Sequence, residues 1–170
     1  MPEMQEIAVD QFDSLVFRMW AKDWLLLTAG SLADNKFNQM TVAWGGFGVM
    51  WGLPIAMVVV RPQRHTLKFM EASDSFTLCA LPETKRSVLD YCGSHSGRDV
   101  DKVKETGLTP LASSKVSAPG YAEACLWVEC KKIYFQDFLP DNFLEPRIAG
   151  KYPAKDYHRM YYGEVLAVRA

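Results

Sequence analysis

Apolar and β-branched residues come in short bursts along this chain, separated by polar, glycine or proline positions. WLLLTAG (24–30), MTVAWGG (40–46), PIAMVVVRP (54–62), SFTLCAL (75–81), ACLWVECKKIYFQDF (124–138) and RMYYGEVLAVRA (159–170) each read as a strand. The third is apolar enough to be buried on both faces. In the fifth, Leu126, Val128 and Cys130 alternate with their neighbours, as a strand with one core face requires. The pattern predicts six or more strands.

The helical signals are short and fall between the strands. Thr66 reads as the cap of a turn carrying Leu67 and Met70. Pro82 suits the first turn of a helix that continues through Val88, Leu89 and Cys92. Ser96 with Asp99 three residues on resembles a capping box, with Val100 and Val103 as the apolar face and Gly107–Leu108 as the stop. Helices this short do not build repeated βαβ units. The expected class is mainly β, a β-barrel with peripheral short helices. The dinucleotide pattern GxGxxG is missing, because Gly46 and Gly48 are followed by Val49, Met50 and Trp51.

Composition narrows the class without changing the fold. The chain has 170 residues, 49% of them hydrophobic and 23% charged, which fits one domain over residues 1–170, with 1–20 as an N-terminal lead-in. The formal net charge is -1. A nucleic-acid surface needs a basic excess, so nucleic acid is not an expected partner. No basic stretch followed by an apolar one opens the chain, so no signal peptide is read and a cytoplasmic location is expected. Residues 42–60 hold 19 positions without a charge, but Gly45, Gly46, Gly48, Gly52 and Pro54 interrupt them. Two strands joined by a glycine-rich turn fit better than a membrane span. Cys79, Cys92, Cys125 and Cys130 form no Cys-x-x-Cys, and His65, His95 and His158 form no His-Glu-x-x-His. No metal site is expected, and each cysteine reads as a reduced, small, buried apolar residue.

Three stretches carry candidate chemistry. In RPQRHT (61–66), Arg61 and Arg64 follow a buried strand and Thr66 opens a helix. Guanidinium forks and free helix N–H groups both suit a phosphate. The same residues read also as two solvated arginines beside an ordinary cap. In SHSGRD (94–99), Ser94, Ser96, Gly97 and Arg98 again gather hydroxyls, glycine and arginine at a helix start. Asp99 and Asp101 would repel an anion unless turned away or paired with Lys102, and a well-capped surface helix explains the pattern equally. In NQMTVAW (38–44), the polar Asn38, Gln39 and Thr41 alternate with apolar Met40 and Val42, and Trp44 adds a flat face. A heteroaromatic ring needs that mixture, although an amphipathic strand with core aromatics accounts for it too. His158 is kept for its place just before the last strand.

NQMTVAWGG, PIAMVVVRPQRHT, SFTLCALPE and YCGSHSGRDVDKVKETGLTP, in this order and with the closing HRMYYGEVLAV, resemble the flavin reductase-like family, in the branch that includes the flavoredoxins. The resemblance spans roughly residues 20–170. It implies an FMN-binding split β-barrel of Greek-key topology, working as a homodimer with FMN near the dimer interface. Asn38, Gln39, Met40, Thr41, Val42, Ala43 and Trp44 would run along the isoalloxazine ring. Arg61, Arg64 and Thr66 would lie at the phosphate end, and Ser94, Ser96, Gly97, Arg98 and Lys102 would close over it. His158 would stand near the ring or the electron donor, the one catalytic candidate.

The activity so implied is an NAD(P)H-dependent flavin reductase, with NADH or NADPH as co-substrate and FMN as the redox carrier. The alternative is a flavoredoxin-type electron carrier that exchanges electrons with protein partners and oxidises no NAD(P)H itself. A barrel that has lost flavin and serves as a binding module is a third reading.

Overall fold

The computed structural model describes residues 4–13 and 15–170. Seven strands form one antiparallel sheet: β2 (Leu25–Ser31), β3 (Lys36–Val42), β4 (Gly45–Met50), β5 (Leu53–Val60), β6 (Ser75–Ala80), β9 (Leu126–Asp137) and β10 (Arg159–Arg169), in the order β3-β2-β6-β9-β10-β5-β4. A short β1 (Glu6–Ile7) from the lead-in pairs with β10, and β7 (Pro110–Leu111) pairs with β8 (Gly120–Tyr121) apart from the sheet. The two end strands, β3 and β4, are consecutive in the chain, with only Ala43 and Trp44 between them. The sheet therefore curls until its ends meet at that point, which makes a split barrel. β5 and β6, also consecutive, are separated in the sheet by β10 and β9, the long return of a Greek key.

The barrel interior is filled by alternate residues: Leu25, Leu27, Met40, Val42, Val58, Phe76, Leu78, Val128 and their neighbours. Each such side chain contributes on the order of 1.5–3 kcal/mol by leaving water. The intervening residues Leu26, Cys79 and Trp127 are buried as well, under α3 (Arg86–Ser94), which supplies Val88, Leu89 and Cys92. Two covered faces explain why these strands read as continuous apolar runs.

Several boundaries differ from the expectation. The stretch 40–46 is not one strand: β3 starts at Lys36 and ends at Val42, and Gly45–Gly46 open β4. A Cβ on Gly45 would lie 2.4 Å from the Trp20 ring and 2.4 Å from Met57 O, so glycine is what lets Trp20 close against the sheet here. The turn within 42–60 is Trp51–Gly52, both with positive φ (54° and 73°), a two-residue hairpin loop. No helix among the described residues is long and apolar enough to cross a membrane.

Thr66 is the first residue of α2 (Thr66–Ala72) and caps nothing; His65 holds the cap position. Ser96 does not start a helix either. Asp99 N and Val100 N donate to Ser96 O in a tight turn, and α4 (Lys102–Thr106) begins later, capped by the Asp101 carboxylate, which accepts from Val103 N and Lys104 N. Its end at Gly107, with Leu108 buried, is as expected. Cys79, Cys92 and Cys130 are buried, but Cys125, just before β9, is exposed.

Candidate functional site

Four strand ends converge at one corner of the barrel: the C-terminal ends of β3 and β5 and the N-terminal ends of β4 and β10. Val58 pairs with Gly45, and Val60 pairs with Arg159. The corner holds a cleft of about 300 Å3, walled by residues 40–44, by Val59, Arg61, Gln63 and Arg64 at the exit of β5, and by His158 at the entry to β10. As an end strand, β3 has one edge whose N–H and C=O groups meet no neighbouring strand.

At one end of the cleft the cation is engaged within the chain, although Asp156 Oδ1 is buried without a partner among the described residues. Arg61 pairs with the Asp156 carboxylate, donates from Nη2 to Lys151 O at 2.9 Å, and lies 5.0 Å from the Tyr152 ring centroid. Gln63 Nε2 donates to the same Asp156 oxygen at 2.6 Å. These two donors hold the Asp156 carboxyl below the usual carboxylate range. The His158 ring stands 5.1 Å from the Trp44 ring, and its Nδ1 is 2.8 Å from the Tyr152 hydroxyl. Burial, helped by the charges of Arg61 and Arg64 and opposed by Asp156, brings the His158 pKa down to about 4.

The other end differs. The half-buried Arg64 makes no side-chain hydrogen bond or ion pair among the described residues, and its pKa is lowered first by burial and then by the charge of Arg61. The 94–98 segment closes against this end. A Cβ on Gly97 would lie 1.9 Å from Asn38 Oδ1, so the loop backbone rests directly on β3. Arg98 Nη1 donates to Gln63 O at 3.3 Å, and Asn38 Nδ2 donates to Thr66 Oγ1 at 2.7 Å. Lys102 is only 5% exposed, so it cannot be a surface cation; its Nζ donates to Gln39 O and Cys92 O, both at 2.9 Å. Burial, with the Arg64 charge adding to it, lowers its pKa to about 8.

Residues 21–170 match the family model described as the flavin reductase like domain. The chain belongs to that family. An FMN-binding flavin reductase-like enzyme of Shewanella baltica OS155 superposes with a TM-score of 0.71 over 99% of this chain and 77% of the other, at 20% identity. The flavoredoxin of Desulfovibrio vulgaris (Miyazaki F) does so with a TM-score of 0.67 over 93% and 75%, at 24% identity. An NADH:FAD oxidoreductase of Streptomyces globisporus C-1027 gives 0.64 over 86% and 74%, at 16% identity. These likenesses establish the fold. None of the curated proteins matches by sequence.

Within this flavin reductase-like domain, Met40, Thr41, Val42, Ala43, Trp44, Arg61, Arg64 and His158 come together around one cleft. Asn38, Gln39 and Thr66 lie behind its wall, buried, and Ser96, Gly97 and Arg98 sit beside it. Ser94 is turned into its own helix, donating to Asp90 O at 2.7 Å. Three residues that sequence reasoning passed over shape the site: Gln63, Tyr152 and Asp156. Gln63 lies inside the RPQRHT stretch and Asp156 two positions before His158, but nothing local tied Asp156 to an arginine 95 positions earlier.

Proposed function

We propose that the cleft holds FMN and that the chain is an NAD(P)H-dependent flavin reductase. The observation that supports this most is Arg64, a half-buried guanidinium without a partner among the described residues, at one end of a cleft whose other end is the Trp44–His158 wall. A flat ring with an anionic tail divides its chemistry in the same way. A partly buried cation with no counter-ion is costly, and a phosphate would supply one.

The donor set suits FMN. The free edge of β3 from Met40 to Val42, with Ala43 after it, offers backbone N–H and C=O groups to the ring edge, Trp44 offers a face, and Arg64 with Arg98 offers charge to the phosphate. Bound there, FMN would supply the two-electron redox chemistry between NADH or NADPH and an acceptor. The protein's part is to orient and enclose. Lys102 touches no ligand in this arrangement; it ties the start of α4 to β3 and to the end of α3, which holds the loop between them in place. Exposed apolar residues on the β4–β5 hairpin, Val49, Met50 and Trp51, support a homodimer. A single-chain mass in sedimentation velocity would remove that part.

A flavoredoxin-type carrier is the second reading, supported by the likeness to the Desulfovibrio flavoredoxin. Anaerobic titration of the purified, FMN-supplemented protein separates the two. Bleaching of the flavin bands by NADH or NADPH is expected. Bleaching by dithionite alone favours the carrier, and no flavin band at all rejects both.

A further inference from the structure

Tyr152 lies in the excursion between β9 and β10, whose base is closed by a Phe138 N to His158 O hydrogen bond of 3.0 Å. Its ring is 4% exposed and stacked on Phe143 at 5.7 Å and 13°. Its hydroxyl meets one partner among the described residues, His158 Nδ1 at 2.8 Å. Either atom can hold the proton between them, but the two are not equivalent. A phenol is a good donor and a poor acceptor, a bare imidazole nitrogen is a good acceptor, and a buried hydroxyl proton needs somewhere to go. The proton therefore stays on Tyr152 and Nδ1 is bare.

The imidazole proton then sits on Nε2. Four groups face this ring: Arg61 and Arg64 disfavour a second proton, Asp156 favours it, and the Tyr152 phenol stays protonated because burial raises its pKa. With burial the balance keeps His158 neutral down to about pH 4. Nε2 has no partner among the described residues, yet it is not one of the sealed, unpartnered atoms, so it opens onto the cleft that His158 lines.

We propose that Tyr152 is a positioning residue that locks His158 in the Nε2–H tautomer, so that the ring end of the cleft presents a hydrogen-bond donor to a flat ligand bearing a carbonyl. For the identity of that ligand, the nicotinamide carboxamide, the proposal rests on the flavin reductase reading; the tautomer does not depend on it. A ligand offering an N–H at the same position is rejected, because two donors would face each other.

The test is 15N NMR of histidine-labelled, ligand-free protein at neutral pH, with His158→Gln assigning the signals. Wild type is expected to show Nε2 protonated and Nδ1 bare. Tyr152→Phe, which keeps the ring stacking, is expected to give a mixture of tautomers. A protonated Nδ1 in wild type, or no change in Tyr152→Phe, overturns the proposal. In the FMN-loaded protein, Tyr152→Phe should raise KM for the nicotinamide by the inverse of the Nε2–H fraction seen in the spectrum, about two-fold for an even mixture, with kcat changed less. An unchanged KM beside an altered tautomer overturns the ligand half. A protein that takes up no flavin overturns the functional reading, while the NMR result still decides the role of Tyr152.

Discussion

Arg61 and Arg64 stand three residues apart at the exit of the same strand, and their surroundings are opposite. Arg61 is held by a carboxylate, a backbone carbonyl and an aromatic face. Arg64 lines the same cleft with none of these. Sequence places both at an anion. The structure gives Arg61 an anion from within the chain, Asp156, and gives Arg64 none among the described residues. A binding site shows itself by donors the fold has left unengaged, because a folded chain seldom leaves a buried polar group without a partner. Arg61 is then a building part of the cleft, and in the proposed function Arg64 is the contact.

The largest expected effect on stability comes from Arg61→Ala. It removes the hydrogen bond to Lys151 O, the stacking on Tyr152 and the partner of Asp156, so the excursion before β10 loosens. Tm is expected to fall by roughly 5 °C, the scale of about 2 kcal/mol in a chain of this size. The His158 pKa should rise, since the Arg61 charge is one of the causes that lower it. A thermal unfolding curve unmoved by Arg61→Ala, beside lost FMN binding, would reverse the roles given to the two arginines.

Arg64→Ala should do the opposite. FMN affinity is expected to weaken by about 1.5–3 kcal/mol, the range for a hydrogen bond to a charged group. Stability should stay within about 0.5 kcal/mol of wild type, or rise, because a half-buried charge that Arg61 repels is removed. Flavin fluorescence quenching measures the first and urea unfolding the second. Wild-type affinity in the variant would remove Arg64 from the anion site.

This contrast also marks where sequence reading stopped. The barrel was legible because strand periodicity is local: Leu25, Leu27, Phe76, Leu78 and Val128 announce a core face without reference to anything distant. The cleft-lining half of β3 was legible for the same reason. Lys102 was not. A lysine reads as exposed, and its burial follows from two carbonyls that only the fold brings together: Gln39 O on an end strand and Cys92 O in the last turn of α3. The Ser96–Asp99 pair misled because the local pattern matches a capping box, while the contact of Gly97 with Asn38 keeps that segment a turn. The Arg61–Asp156 pair joins residues 95 apart, and spacing along one chain carries no trace of it.

The smallest effect sharpens the contrast most. Arg98 belongs to the second stretch that gathers hydroxyls, glycine and arginine, one that Asp99 and Asp101 already weaken as an anion site. In the structure Arg98 is exposed, anchored by one 3.3 Å hydrogen bond to Gln63 O. Charges in contact with water are screened, and such contacts are worth at most about 1 kcal/mol. Arg98→Ala should therefore weaken FMN binding by no more than about five-fold, and the loss should shrink further as salt is raised, whereas the loss in Arg64→Ala should persist. Measuring both dissociation constants at low and high salt decides it. An Arg98→Ala loss that equals that of Arg64→Ala and resists salt would mean that the loop folds inward over the phosphate when ligand binds, and that unengaged donors in the ligand-free cleft understate the site.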